Sequence, residues 1–483
     1  MEAMDERMQK RRWTILALTS VGAFMAPLDG SIVSVALPKM GPLLHLGYAA
    51  SMWVQAAYLL SMAILLIPFG RLADRGGRLR YYLAGILVFT LGSLAAACSI
   101  NGATLILSRI VQGAGAALLS ATSAAIITAV FPERERGRAL GINVMVIYVG
   151  LSVGPPLGGF LVERFSWTWI FLINLPIGAI VYLWGLGVFP KEPRRAASPS
   201  HSDLPGATLL GLFLLCLLVP LTFSSEWGWR LLRSWAMLAA AAACFALLIA
   251  QERKREDPML DLELLRTHRL FAMANLAALL NYMALYAIAI LTAAQLQLVQ
   301  GRSARTTGWV MLAQPALQAA FSPIAGRLSD RMGSRWLSTA GMLITAIGMG
   351  MLALMGRDAS LVHVMAALAV VGLGMGVFSS PNTSAIMGSV ERSQLSRASA
   401  FMATMRVVGQ ALSVGILGGI AASRLGPGGW RKLLQASSSA ASSAPSAAAD
   451  AFAWGYRAAM FSGAFLVLLG AWASLTRGAN EKL

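Results

Sequence analysis

Charge is what this sequence lacks most. Only 12% of its 483 residues are Asp, Glu, Lys or Arg, about half the share of a soluble domain. Acids are scarcer than bases, 21 against 39, which leaves a formal charge of +18. Cysteine is rarer still. Cys98, Cys216 and Cys244 stand far apart in apolar runs, which excludes a disulfide framework or a structural zinc site. The four histidines, His45, His201, His268 and His363, are scattered too, so no metal site is expected. None of the six lysines precedes Ser or Thr, which removes the P-loop and any evident use of ATP. So little charge excludes a soluble multidomain protein, and the basic residues lack the polar surroundings of a disordered or nucleic-acid-coating chain.

Apolar sequence fills the space instead: 57% of residues are hydrophobic and mean hydropathy is +0.66. A hydrocarbon core needs about 20 apolar residues per helix. Fourteen runs of that length stand between charged or Pro/Gly-rich breaks, at 13–37, 50–70, 81–100, 103–131, 138–162, 168–190, 204–223, 234–251, 269–294, 306–327, 336–356, 360–388, 397–422 and 454–476. The first is too long for a cleavable signal. Even parity puts both termini on one side, and the basic residues choose which. From Arg7 to Lys482, the tails and loops on the terminal side hold 26 of the 39 Lys and Arg. The opposite side has 11, and only Arg109 and Arg406 fall inside spans. The termini are therefore expected in the cytoplasm. Two stretches break the pattern. Lys191 to Asp203 reads as a polar linker, and Gln435 to Asp450 as a low-complexity external loop.

The chain also repeats itself. GRLADRGGRLR at Gly70–Arg80 returns as GRLSDRMGSRW at Gly326–Trp336, offset by 256. Arg138-Ala139 returns as Arg397-Ala398, and LSVGPPLGG from Leu151 returns as LSVGILGG from Leu412. Three matches in order predict two homologous six-helix halves, residues 1–190 and 269–483. Residues 191–268 then carry a linker, two inserted spans and a loop. Paired halves of this kind place a substrate site near mid-membrane at their interface.

Within this frame a few residues stand out. Asp29 is the only carboxylate deep in a predicted span, where a charge costs at least ~2.5–3.5 kcal/mol, so it needs a partner, water or a proton. Pro27 and Gly30 beside it predict a locally broken helix facing a cavity. Arg109 reaches a similar depth, about 9 Å from its span end against about 12 Å for Asp29. A proton carrier tuned by an arginine and a static buried ion pair are both open readings. Gly150, Gly154 and Gly158 recur every fourth residue and give a smooth helix face, while Pro155 and Pro156 predict a bend. Asp74 and Asp330 sit at span ends with Gly70, Arg75, Arg78, Gly326 and Arg331. Each acid suits a latch made by capping a helix or bridging to a base. Gln55, Tyr58, Asn143, Tyr148, Asn281, Tyr282, Gln314, Gln318, Asn382 and Arg406 are candidate cavity lining or, equally, helix–helix contacts. Gly150-Leu-Ser-Val-Gly154 matches a hydrolase elbow, but inside an apolar span it lacks the strand-to-helix turn.

These motifs resemble the major facilitator superfamily. GRLADRGGRLR looks like its loop motif, and Leu105-x-x-x-Arg109-x-x-Gln112-Gly113-x-Gly115 looks like its fourth-span motif. Gly150-x-x-x-Gly154-Pro155-x-x-Gly158-Gly159 looks like its antiporter motif. Leu28–Pro38 and Trp167–Pro176 are similar to signatures of its fourteen-span drug:proton antiporter branch. The resemblance spans essentially the whole chain. It implies an all-α integral membrane protein, not an enzyme, that exports small lipophilic compounds in exchange for protons and works as a monomer in a bacterial inner membrane. The proton gradient replaces any cofactor, and no nucleic acid is bound. Asp29 and Arg109 would couple the proton, and the fifth-span glycine face would seal the cavity. Export of one endogenous metabolite, lipid or antibiotic is the alternative, with a non-transporting sensor behind it.

Overall fold

Short polar signals decide where several helices begin. Asn101 Oδ1 accepts from the Thr104 amide at 2.9 Å while Thr104 Oγ1 accepts from the Asn101 amide, a reciprocal cap that opens a long apolar helix. Ser303 and Ser360 cap two later helices through the amides of Thr306 and His363. Gly77 and Gly333, 256 residues apart like the loop motifs around them, both take positive φ, 100° and 81°. That backbone favours glycine, so the two copies of the motif turn the chain by the same device.

The structure is a computed structural model that describes residues 11–189, 204–223, 232–254, 262–356, 359–390, 395–426, 428–438 and 447–478. Regular structure there is entirely helical. The first half comprises α1 (Arg12–Leu43), α2 (Tyr48–Gly76), α3 (Arg78–Ala97), α4 (Gly102–Val130), α5 (Glu133–Arg164), α6 (Trp169–Leu172) and α7 (Asn174–Val188). The inserted pair is α8 (Leu204–Thr222) and α9 (Leu232–Glu252), followed by the short α10 (Leu262–Thr267). The second half holds α11 (Arg269–Ala294), a π-helical turn at Gln295–Val299, α12 (Ala304–Met311), α13 (Ala313–Met332) and α14 (Ser334–Ala353). It ends with α15 (Leu361–Met387), α16 (Leu395–Ala422), α17 (Gly429–Ser438) and α18 (Ala447–Thr476).

Thirteen of these segments are long and apolar enough to cross a membrane. The remaining expected span, 306–327, is split at Leu312 into α12 and α13. Pro315 has no amide to continue the ladder, and Gln314, Gln318, Ser322 and Arg327 lower its apolarity. Large apolar side chains such as Leu91, Leu107, Leu183, Trp184, Ile347, Phe465 and Trp472 face outward, as a lipid-facing surface requires.

Two expectations need correction. The helix around Asp29 is not broken: α1 runs unbroken through Pro27 and Gly30. Side chains of α2 serve its exposed carbonyls instead, with Gln55 Nε2 donating to Gly30 O at 2.8 Å. The 435–450 segment is not all loop. Gln435–Ser438 ends α17, and the last span begins at Ala447 rather than 454. Trp430 of α17 is buried edge-on to Tyr48 at 5.0 Å and lies against Phe452, so aromatic packing holds a helix that low complexity concealed. Lys191–Asp203 lies outside the described residues, and α5 is helical through Pro155 and Pro156.

Helices of each half pack mainly on one another, and the halves meet along three seams. At α2–α16, Tyr48 Oη donates to Gly418 O at 2.6 Å. At α1–α11, Gln297 Nε2 of the π turn donates to Val35 O at 2.9 Å. At α5–α12, Gly308 lies against the Pro155–Pro156 backbone and Gly159 against Ala304 and Arg305. All three lie toward the end of the bundle opposite the termini. The inserted α8 rests on the α2–α16 seam, with Trp53 Nε1 donating to Thr222 Oγ1 at 2.8 Å and Gly415 close to Leu218.

The α5 glycines face α1. A Cβ at Gly154 would stand 2.9 Å from Ser31 Cβ and 3.1 Å from Leu28 O, while Gly187 has no such neighbour within 4 Å. Gly154→Val is therefore expected to cost about 1–3 kcal/mol and lower Tm by several degrees, and Gly187→Ala to leave Tm unchanged. Thermal unfolding of the purified variants checks the contrast.

Candidate functional site

Asp29 and Arg109 are both fully buried, and a charge in that position survives only if paired and hydrogen-bonded. The structure brings them together. Arg109 Nη1 donates to Asp29 Oδ2 in a close ion pair. Every other helix of the first half's inner wall adds a neutral partner. From α4, Gln112 Nε2 donates to Asp29 Oδ1 at 2.7 Å, and its Oε1 accepts from Arg109 Nη1 at 2.5 Å. From α7, Asn174 Nδ2 donates to Asp29 Oδ1 at 3.3 Å. From α3, Ser93 Oγ accepts from both Gln112 and Asn174. From α2, Val54 O accepts from Arg109 Nε at 3.0 Å and Gln55 Oε1 from Arg109 Nη2 at 3.4 Å. Tyr58 lies under the guanidinium, 4.3 Å from its ring centroid, within cation–π range.

One contact comes from the other half. Tyr286 Oη of α11 donates to Gln55 Oε1 at 3.4 Å and covers Gly30. The ion pair thus lies one residue away from the interface between the halves, and a change at that interface reaches Arg109 through Gln55.

The cavity candidates separate into groups. Gln55 and Tyr58 belong to the ion-pair cluster. Asn143 donates to Ser123 Oγ at 3.2 Å and to Ser20 Oγ at 3.4 Å, a buried contact inside the first half. Asn281 Nδ2 lies 2.9 Å from Met375 Sδ, while its Oδ1 has no partner. The backbones of Gln314 and Gln318 press on Gly372 and Gly376 of α15. Asn382 sits toward the terminal end, donating to Ala274 O and accepting from the buried Arg477. Burial, with Arg335 nearby, pulls the Arg477 guanidinium down to about 10, so it stays cationic at neutral pH. Tyr148 and Tyr282 remain between the halves, and Tyr148 Oη meets Ser379 Oγ at 3.4 Å. Arg406 lies on α16, one turn before Gly409, where that helix presses on Tyr282 of α11.

Of the loop residues, Asp74 pairs with Arg78 at 2.7 Å, and Arg78 Nη1 donates to Ala125 O. This ties α2, α3 and α4 together within one half. Gly70 is in ordinary contact with Ala121, and Gly326 lies close to Ser380. Arg75 is half-buried and Arg331 exposed; the Asp330 side chain lies outside the described set. Asn174, Ser93 and Tyr286 escaped the sequence reading. Asn174 lay inside a quoted signature, and Tyr286 is one helical turn beyond Tyr282. Ser93 carried no signal.

Repeated helical halves meeting around a buried polar centre define a membrane transporter. The chain belongs to the Major Facilitator Superfamily, whose family model matches residues 19–257 and 274–481. It is 35% identical over 404 residues to the riboflavin transporter RibZ of Clostridioides difficile (strain 630), covering 83% of this chain and 87% of that one. It is 34% identical over 420 residues to the multidrug resistance protein Stp of Mycobacterium tuberculosis, covering 86% and 77%. With the tetracenomycin C resistance and export protein of Streptomyces glaucescens it shares 29% identity, covering 86% and 77%. Such relatives match the drug-exporting branch that the motifs resembled. In fold, it is similar to the bacterial homologue of the human lysosomal transporter Spinster in an inward-facing, unoccupied conformation. The TM-score there is 0.69 at 17% identity, over 96% of each chain.

Removing one member of the ion pair leaves the other buried and unpaired. Arg109→Gln alone should cost about 3–5 kcal/mol, and adding Asp29→Asn should recover part of it. The measurement is a double-mutant cycle in thermal unfolding; losses that simply add would refute the coupling.

Proposed function

We propose that this chain is a proton-coupled exporter of small lipophilic compounds, rocking its halves to expose a central cleft to each side in turn. What carries the reading is one buried carboxylate held by one arginine, next to the interface that must part. While the pair is closed, Arg109 and the amides of Gln112 and Asn174 stabilise ionised Asp29. Parting the halves withdraws Tyr286 and loosens Gln55, which admits water and frees the carboxylate to take a proton. A proton on Asp29 then weakens its hold on Arg109, and closure on the opposite side releases the proton.

The other residues take supporting roles. On α5, Pro155 and Gly159 meet α12 of the other half and seal the cleft, while Gly150, Gly154 and Gly158 seat α5 against α1. Asp74 and Arg78, with Asp330 and Arg331 in the second copy, latch the cytoplasmic ends. The basic-residue imbalance supports cytoplasmic termini in a bacterial inner membrane. At ~2.3 kcal/mol per charge per 100 mV, one proton moving inward sustains roughly a 50-fold gradient of a neutral substrate. The multidrug and antibiotic-export relatives support a lipophilic substrate class. The riboflavin transporter among them favours a second reading, export of one endogenous compound, which a narrow transport profile would reveal.

Inverted vesicles test the mechanism. Wild-type vesicles should release protons on addition of a transported compound from a panel that includes riboflavin, and Asp29→Asn vesicles should not. If no compound moves protons in the wild type, the antiport reading is wrong. Unchanged fluxes in Asp29→Asn would remove Asp29 from the mechanism.

A further inference from the structure

Arg109 and Arg406, the two arginines the sequence placed in the interior of spans, differ in their situations. Arg109 is neutralised by Asp29. Arg406 forms no ion pair and no hydrogen bond among the described residues, although it lies 11 residues into the 28-residue α16, about 16 Å along its axis. A guanidinium at that depth faces water or a partner, because lipid would penalise it.

The helix packing shows where it faces. One turn on, a Cβ at Gly409 would stand 2.9 Å from Leu279 O and 3.0 Å from Tyr282 Cβ, so α16 presses on α11 at Tyr282. Residues three apart share a helix face, which puts Arg406 on this same side, half-buried. Both Arg406 and Tyr148 of the first half act electrostatically on Tyr282, and Tyr148 reaches Ser379 of α15. Arg406 of α16 and Tyr282 of α11 in the second half, and Tyr148 of α5 in the first, therefore lie near one another at the boundary between the halves.

With Asp29 already committed to Arg109, Arg406 is left without an acid partner among the described residues. A planar guanidinium recognises carboxylates and phenolates through its fork of donors. Tyr148 and Tyr282 beside it offer aromatic faces and hydroxyls. We propose that Arg406 is the specificity-determining residue for the anionic head of an aromatic substrate, and that the cleft selects aromatic carboxylates and phenolates over lipophilic cations. This rests on the exporter reading and sharpens it. Expelling an anion against an entering proton moves two charges instead of one, so the membrane potential counts twice and 100 mV adds a second factor of ~50.

Two xanthene dyes of similar size test the assignment, anionic fluorescein and cationic rhodamine 123, titrated by fluorescence polarisation against the purified full chain. Wild type should bind fluorescein at least ~10-fold more tightly, the range of one charge-assisted hydrogen bond. Arg406→Gln should lose that preference and Arg406→Lys keep most of it. Ala403→Glu, one turn before Arg406, should neutralise the arginine in place and abolish the preference if the Gln variant does not fold. Equal binding of the two dyes by wild type, no binding of either, or a preference that survives both Arg406→Gln and Ala403→Glu would overturn the proposal. Proton-driven flux of either dye in proteoliposomes is a separate arm. Anion-selective, Arg406-dependent binding without such flux would sink the exporter reading and leave the site, whereas flux blind to Arg406 would do the reverse.

Discussion

A carboxylate and a guanidinium withdrawn from water dominate the design of the first half. Each would be untenable alone, and even together they need their remaining donors and acceptors satisfied. Five helices meet that need, through Asp29 on α1, Val54 and Gln55 on α2, Ser93 on α3, Arg109 and Gln112 on α4, and Asn174 on α7. Shifting any one of them leaves a buried polar group unpaired. The cluster thus fixes the relative rotation of these helices, which apolar packing against lipid would leave loosely specified. Glycine supports the arrangement, because Gly150, Gly154 and Gly158 let α5 lie directly on the helix that carries Asp29.

Between the halves the chemistry is different. There most contacts are single hydrogen bonds between uncharged groups and close approaches of backbone, such as Tyr48 to Gly418, Gln297 to Val35 and Gly308 to the Pro155–Pro156 peptide, with the Glu163 carboxylate accepting from the Arg305 amide at 3.2 Å as a charged exception. A neutral hydrogen bond contributes only about 0.5–1.5 kcal/mol net. Strong polar contacts thus bind each half internally while weaker ones join the halves, the ordering that rigid-body rocking requires. The inserted α8, seated on the α2–α16 seam, touches both halves and lies against their boundary from outside.

Much of the fold was legible because membrane helices announce themselves by length and apolarity. Missing features share a physical cause. Leu312 interrupts a helix because Pro315 lacks an amide, a single residue that an average over 20 smooths away. Residues Gly429–Ser438 read as part of a loop region because their helix depends on Trp430 finding Tyr48, nearly 400 positions earlier. Matching depths suggested that Asp29 and Arg109 are neighbours, yet the parts played by Ser93, Asn174 and Tyr286 depend on helix rotations that no single segment encodes. Prolines misled in the opposite direction: α1 runs through Pro27 without breaking.

The closing contacts opposite the termini have a consequence for how such a protein can diverge. Their acceptors are largely backbone carbonyls, at Val35 and Gly418, and their closest approaches involve peptide groups at Pro155 and Ala304. A carbonyl oxygen is present whatever side chain its residue carries. Closure therefore constrains the identity of few positions, chiefly Tyr48, Gln297, Gly159 and Gly308. Residues of the cleft walls outside these contacts and outside the ion-pair cluster can change without touching them, so descendants of one ancestor can acquire new cargo while inheriting the same closure.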